Sequence, residues 1–145
     1  MRVNPSLKKY LPLVDFLAEV FGEDAEVVLH DVTDVDRSVV AIRNGHISGR
    51  CVGAPATNVV LKIMKDGTEN AIDYLTNYQG LSANGKALRS STYFLHDDDR
   101  HLIGILCVNI DTSRLEQFRD YLNSVVQIKH DLSANERVER FSSTV

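Results

Sequence analysis

The chain has 145 residues, 43% hydrophobic and 25% charged, with 16 Lys and Arg against 20 Asp and Glu, a formal net charge of −4. That is one globular domain's worth of chain, able to bury about two thirds of its unfolded surface without metal or disulfide staples. An acidic balance lacks the clustered Lys and Arg that phosphate contacts demand, which excludes a stand-alone nucleic-acid binder.

Apolar residues at Leu7, Leu11, Val14, Leu17 and Phe21 line one helical stripe, introduced by Asn4-Pro5 and closed by Gly22. The spacing predicts a helix over Pro5 to Phe21, kinked or split at Pro12, whose ring nitrogen has no hydrogen to donate. The β-branched runs Ala25 to Val32 and Ser38 to Arg43, joined by polar residues, predict an antiparallel hairpin. Residues Asn44 to Ala56 hold three glycines and a proline and read as irregular backbone. Thr57 caps a short helix through Lys65, with Val60, Leu61 and Met64 inward and Gly67 as its stop.

Tyr74 to Leu81 and Lys86 to Leu95 flank Asn84-Gly85, a pair suited to a type I′ hairpin turn. After a polar turn at Asp97 to Arg100, Leu102 to Ile110 is a strongly apolar strand. Asp111, Thr112 and Ser113 can cap a last helix with the stripe Leu115, Phe118, Leu122 and Val125, and from Ser133 the chain is polar, a tail or linker stub. Two hairpins separated by a helical crossover form an α+β fold: one five-stranded antiparallel sheet with a covering helical segment and flanking N- and C-terminal helices. Small-molecule sites commonly sit between a sheet and such a cover.

Several ordered motifs carry a family resemblance. Glu26-Val27-Val28-Leu29-His30-Asp31, Ser38-Val39-Val40-Ala41-Ile42, Asn44-Gly45-His46-Ile47-Ser48-Gly49-Arg50, Gly85-Lys86-x-Leu88-Arg89-Ser90-Ser91-Thr92 and Ile103-Gly104-x-Leu106-Cys107-Val108-Asn109-x-Asp111 resemble the YheO-like PAS domain family over about Lys8 to Lys129. The resemblance implies a PAS sensor domain, here over residues 1–132, from a bacterial transcriptional regulator in which a helix-turn-helix domain follows. The stretch 133–145 is too short for such a reader, so DNA would be contacted only through a domain this chain lacks. Two departures stand out: Ala54 occupies a position that is usually acidic, and Arg100 a turn position that is usually glycine, which leaves another residue of that turn to absorb the bend.

Strand alternation groups Leu88, Ser90, Thr92 and Phe94 on one face and Arg89, Ser91, Tyr93 and Leu95 on the other; Asn109 shares a face with Ile103, Ile105 and Cys107. Buried polar groups among them must be hydrogen-bonded, either locally or to a ligand. Ser90, Ser91, Thr92, Tyr93 and Asn109 are therefore candidate ligand contacts. So are Asn44, His46, Ser48 and Arg50, where glycines allow close approach and an arginine fork suits a carboxylate or phosphate. The alternative for this loop is a turn that His46 and Arg50 pin through backbone carbonyls.

His96 to His101 clusters carboxylates and imidazoles but reads as a solvated hairpin tip, not a metal site. Cys51 and Cys107 form no C-x-x-C pair and read as buried, inert thiols. No apolar run approaches the ~20 residues of a spanning helix, and Met1 to Lys9 lacks the marks of a secretory signal. The expectation is a cytoplasmic protein with no membrane partner and no cofactor. Catalytic and nucleotide-binding motifs are missing, so the leading expectation is a non-enzymatic homodimer that senses a small polar ligand and signals through its last helix. A ligand-free dimerisation module and a small enzyme using His46 or His30 as base are the alternatives.

Overall fold

Asn4 opens the first turn by accepting the Ser6 N–H on its side chain at 3.0 Å, with Pro5 in the position where a missing donor is harmless. In this computed structural model, which describes residues 3–66, 72–128 and 139–143, the chain then winds as a 3-10 helix over Pro5–Tyr10. Pro12 falls in the first turn of a fresh α-helix, α1 (Leu11–Phe21), so the expected split lies just before it. Gly22, at φ 85°, ends α1 and donates to the Ala18 carbonyl at 2.9 Å.

Five strands follow: β1 (Ala25–Asp31), β2 (Val39–Arg43), β3 (Tyr74–Leu81), β4 (Ala87–His96) and β5 (Leu102–Asp111). They form one antiparallel sheet in the order β2-β1-β5-β4-β3, the α+β arrangement expected of two hairpins and a crossover. The crossover carries α2 (Asn58–Asp66), and α3 (Ser113–Val126) follows β5.

The central strands of the sheet are packed on both faces. Leu7, Val14 and Ala18 pack on one side with Val27, Leu29 and Leu106, while Val60 of α2 joins Val28, Phe94, Ile105 and Cys107 on the other. All seven residues of β1 are buried, which explains a run with little polar alternation. Gly104 makes the first of these contacts possible, because a Cβ there would lie 2.7 Å from Leu7 Cδ2 and 2.8 Å from the His30 carbonyl oxygen.

Four local expectations need correction. Leu61 is exposed rather than inward, because Val60 and Met64, four residues apart, already define the inner stripe of α2 and Leu61 points about 100° away from Val60. The β3–β4 connection is not type I′: Gly85 alone has positive φ, the Gly85 N–H reaches the Ser82 carbonyl and the Ser82 N–H reaches Lys86, giving a loop closed by a glycine bulge. Arg100 absorbs the bend of its own turn, at φ 65°. Cys51 is exposed, since it sits in the irregular loop and not in a strand, whereas Cys107 is buried.

The chain divides into two compact units, Met1–Ser113 and Arg114–Val145. At the end of the first, Asp111 Oδ1 accepts the Ser113 N–H at 3.0 Å and its hydroxyl at 2.5 Å, capping α3. The side chains of Leu115, Phe118, Leu122 and Val125 on α3 are exposed. The expected helix stop at Gly67 and most of the polar stretch from Ser133 lie outside the described residues. Among the described residues no helix is long and apolar enough to cross a membrane.

Candidate functional site

The face of the sheet beneath α2 carries a row of polar side chains set by register. Glu26 on β1 pairs with Asn109 on β5, Asn109 with Ser90 on β4, and Ser90 with Tyr78 on β3. One row further along, Val28, Cys107 and Thr92 align, and beyond them His30, Ile105 and Phe94. Because side chains alternate, these three rows share one face.

Over the polar row lies a cavity of about 620 Å³, within the range of small-molecule sites. Glu26, His30, Ser90, Asn109 and Tyr78 form its floor. Ser48 and Arg50 come from the loop after β2, and Thr57 to Val60 from the start of α2, where Thr57 Oγ1 accepts the Val60 N–H at 3.3 Å. Gly80 at the β3 rim leaves room for Ser90: a Cβ there would lie 2.6 Å from the Ser90 hydroxyl.

Glu26 is only 1% exposed. Its Oε2 accepts the hydroxyl and the N–H of Ser48, and its Oε1 accepts the Asn109 side-chain amide at 3.1 Å. Arg50 donates its backbone N–H to Ser48 Oγ at 3.2 Å and its guanidinium to the Pro55 carbonyl. His30, also 1% exposed, shares a 2.8 Å hydrogen bond between Nδ1 and Ser38 Oγ. Burial, helped by the charge of Arg50, lowers its pKa from 6.5 to about 4, so the imidazole is neutral near pH 7. Tyr78 and Thr92 share a hydroxyl hydrogen bond of 2.6 Å, and Thr92 Oγ1 lies 3.4 Å from Cys107 Sγ. Burial raises the pKa of Tyr78 and pushes the Cys107 thiol up to about 11.

The structure gathers Ser48, Arg50, Ser90 and Asn109 on the cavity wall and ties Thr92 to Tyr78 beside them. The other candidates lie elsewhere. Asn44, at φ 57°, donates its amide to the carbonyls of Gly22 and Ala25 at 3.1 and 2.9 Å and acts as a strut. His46 is exposed. Alternation turns Ser91 and Tyr93 to the opposite face, where Ser91 accepts the Asn77 N–H at 3.1 Å and Tyr93 stacks on Tyr74 with centroids 6.3 Å apart. Glu26 and Tyr78 were not among the sequence candidates, and His30 was named only as a base in the enzyme alternative. A carboxylate at the head of the alternating set Glu26, Val28, His30, in a strand otherwise apolar, was the available signal.

Asp97, Asp99 and His101 bring possible ligand atoms within 4.8 Å of one another, but all three are exposed and Asp97 Oδ1 is taken up by the N–H groups of Asp99 and His101. Ser38 is fully buried, so the Ser38–His30 pair offers no nucleophile to a substrate.

A family model of the YheO-like PAS domain matches residues 1–127. The chain belongs to the YheO-like PAS domain family. It is 32% identical over 105 residues to the Escherichia coli K12 protein YheO, covering 72% of this chain and 44% of that protein. It is 29% identical over 120 residues to the transcriptional regulator DauR of Pseudomonas aeruginosa, covering 83% and 54%. The chain thus spans about half the length of these curated relatives. An RNA-binding light-oxygen-voltage receptor shares the fold, with a TM-score of 0.50 at 11% identity over 88% of this chain and 40% of that one. The YheO-like PAS domain is a family of regulatory rather than enzymatic modules, and this member is related to a transcriptional regulator.

Proposed function

We propose that this YheO-like PAS domain is the sensory part of a transcriptional regulator and that the cavity over Glu26, Asn109 and Ser90 takes up a small polar ligand. The observation that carries this reading is the cavity itself: some 620 Å³ left unfilled above buried polar side chains, whose walls come from both the sheet and its cover. A ligand bridging Arg50 and the sheet changes the packing of β5, and β5 runs through Thr112 directly into α3. The output is then a shift between two arrangements of α3, driven only by the ligand's differential affinity for them. The exposed stripe Leu115, Phe118, Leu122 and Val125 suits a homodimer contact. DNA is contacted by a separate helix-turn-helix domain.

The ligand-free dimerisation module calls for an inner face closed by its own side chains, and the cavity speaks against it. The test is thermal-shift screening of the 145-residue chain with amino acids, organic acids and nucleotides, comparing wild type with Arg50→Ala. The expected result is a stabilising ligand whose effect falls in the variant. Equal stabilisation of both would remove Arg50 from the site, and no stabilisation by any compound would remove the sensor reading. Light scattering of Leu122→Asp reports the dimer: a wild-type monomer would rule it out.

A further inference from the structure

The acidic and the basic group on the cavity wall are not partners of each other. Buried Glu26 takes all three of its hydrogen bonds from neutral donors, two from Ser48 and one from Asn109. Arg50 gives its guanidinium to a neutral carbonyl, that of Pro55. Among the described residues no cationic group lies within 4.0 Å of the Glu26 carboxylate and no carboxylate within 4.0 Å of the Arg50 guanidinium. Each charge therefore faces the cavity without a counter-ion. A buried carboxylate held by neutral donors gains most from a cation, and a carboxylate has about four acceptor positions, of which Oε1 has used one here. A guanidinium has five N–H donors in a fork that matches a carboxylate.

Both charges are felt at the cavity floor. Cys107, which lines it, has its thiol pKa raised chiefly by burial, with the Thr92 hydrogen bond and then Arg50 lowering it and Glu26 raising it. A mono-anion entering this space meets Arg50 favourably and Glu26 unfavourably, and a mono-cation the reverse. A molecule carrying both charges meets both favourably.

Building on the ligand-site reading above, we propose that the cavity selects a small zwitterion with an ammonium and a carboxylate, an α-amino acid being the minimal case. Its ammonium rests on Glu26 Oε1 and its carboxylate on the Arg50 fork. Its side chain lies against Val60 and Leu88, with the Ser90 and Tyr78 hydroxyls within the same cavity.

The test is isothermal titration calorimetry of the 145-residue chain with individual L- and D-amino acids at millimolar concentration. The tightest binder is followed by its decarboxylated amine and by the carboxylic acid lacking the amino group. The zwitterion should bind, and each single-charge analogue should bind at least about tenfold more weakly. Glu26→Gln should weaken the zwitterion and the amine but not the acid, and Arg50→Gln the zwitterion and the acid but not the amine. If either variant fails to fold, the analogue series on the wild-type chain still decides. An amine or acid that binds as tightly as the zwitterion overturns the proposal. A dicarboxylate or phosphorylated compound binding where no amino acid does overturns it while leaving the ligand site standing. No binding by any of these overturns both.

Discussion

Asn109 and Glu26, 83 positions apart in the chain, face one another across the β1–β5 pair, and the Asn109 amide donates to Glu26 Oε1 at 3.1 Å. The bond joins the strand that leads into α3 to the buried carboxylate on the cavity floor. Asn109→Ala removes one of the three donors to Glu26 and should destabilise the fold by about 1–3 kcal/mol in urea titration. Asn109→Asp places two carboxylates face to face and should cost more near neutral pH. Repulsion raises the carboxyl pKa values of the folded variant, so that this extra loss should recede as the pH falls toward 4. A variant whose stability relative to wild type does not change with pH would show that the two side chains do not meet.

His30 sets a pH dependence of opposite origin. Its folded pKa of about 4 lies below the unfolded value of 6.5, so between these limits the unfolded chain binds the extra proton. Stability is fully present above about pH 6.5 and falls as the pH drops toward 4, by up to about 3 kcal/mol. The Asp111 carboxyl, lowered mainly by its hydrogen bond from the Ser113 hydroxyl, contributes its own loss only below its ordinary 3.8, beneath this window. His30→Asn, which keeps a partner for Ser38 without a titrating ring, should flatten the pH 4 to 6.5 limb in urea titrations. An unchanged slope would mean that His30 is protonated in the fold.

Gly104 and Leu7 occupy the same space from two elements. Gly104→Ala drives a methyl group into Leu7 Cδ2 and toward the His30 carbonyl, and should cost about 1–3 kcal/mol by overpacking. Part of that loss should vanish in a Leu7→Ala background, because only the backbone contact then remains. Additive losses in the double-mutant cycle would place the two residues out of contact.

The two thiols should separate kinetically. Cys51 is exposed, whereas Cys107 is buried with its pKa pushed up to about 11. Ellman's reagent should titrate one fast thiol in the native protein and the second only on unfolding, and Cys51→Ser should abolish the fast phase. Two fast thiols would contradict the burial of β5.

The sheet was legible in the sequence because its strands are short, β-branched and bounded by turn residues. The alternation of Ser90 and Thr92 against Ser91 and Tyr93 was legible too. The cavity was only half legible. Ser48, Arg50, Ser90 and Asn109 carry groups whose chemistry announces itself, but the partner of Asn109 depends on a register between strands separated by most of the chain. Glu26 therefore passed as one more residue of an apolar strand. Asn44 and His46 show the converse: a glycine-rich loop advertises recognition, yet whether an amide in it meets ligand or backbone is decided by tertiary contacts. Leu61 and Gly85 differ for local reasons, a stripe narrower than its apolar content and a loop one residue longer than the shortest hairpin.

The Asn44 strut has a mechanical consequence. By bonding the carbonyls of Gly22 and Ala25, it clamps the exit of α1 and the start of β1 to the root of the loop that holds Ser48 and Arg50. At the loop's far end, Ala54 is tied to Val39 by a 3.1 Å hydrogen bond. The segment is a span fixed at both piers, so a displacement of the N-terminal helix bears directly on the loop that carries Ser48 and Arg50.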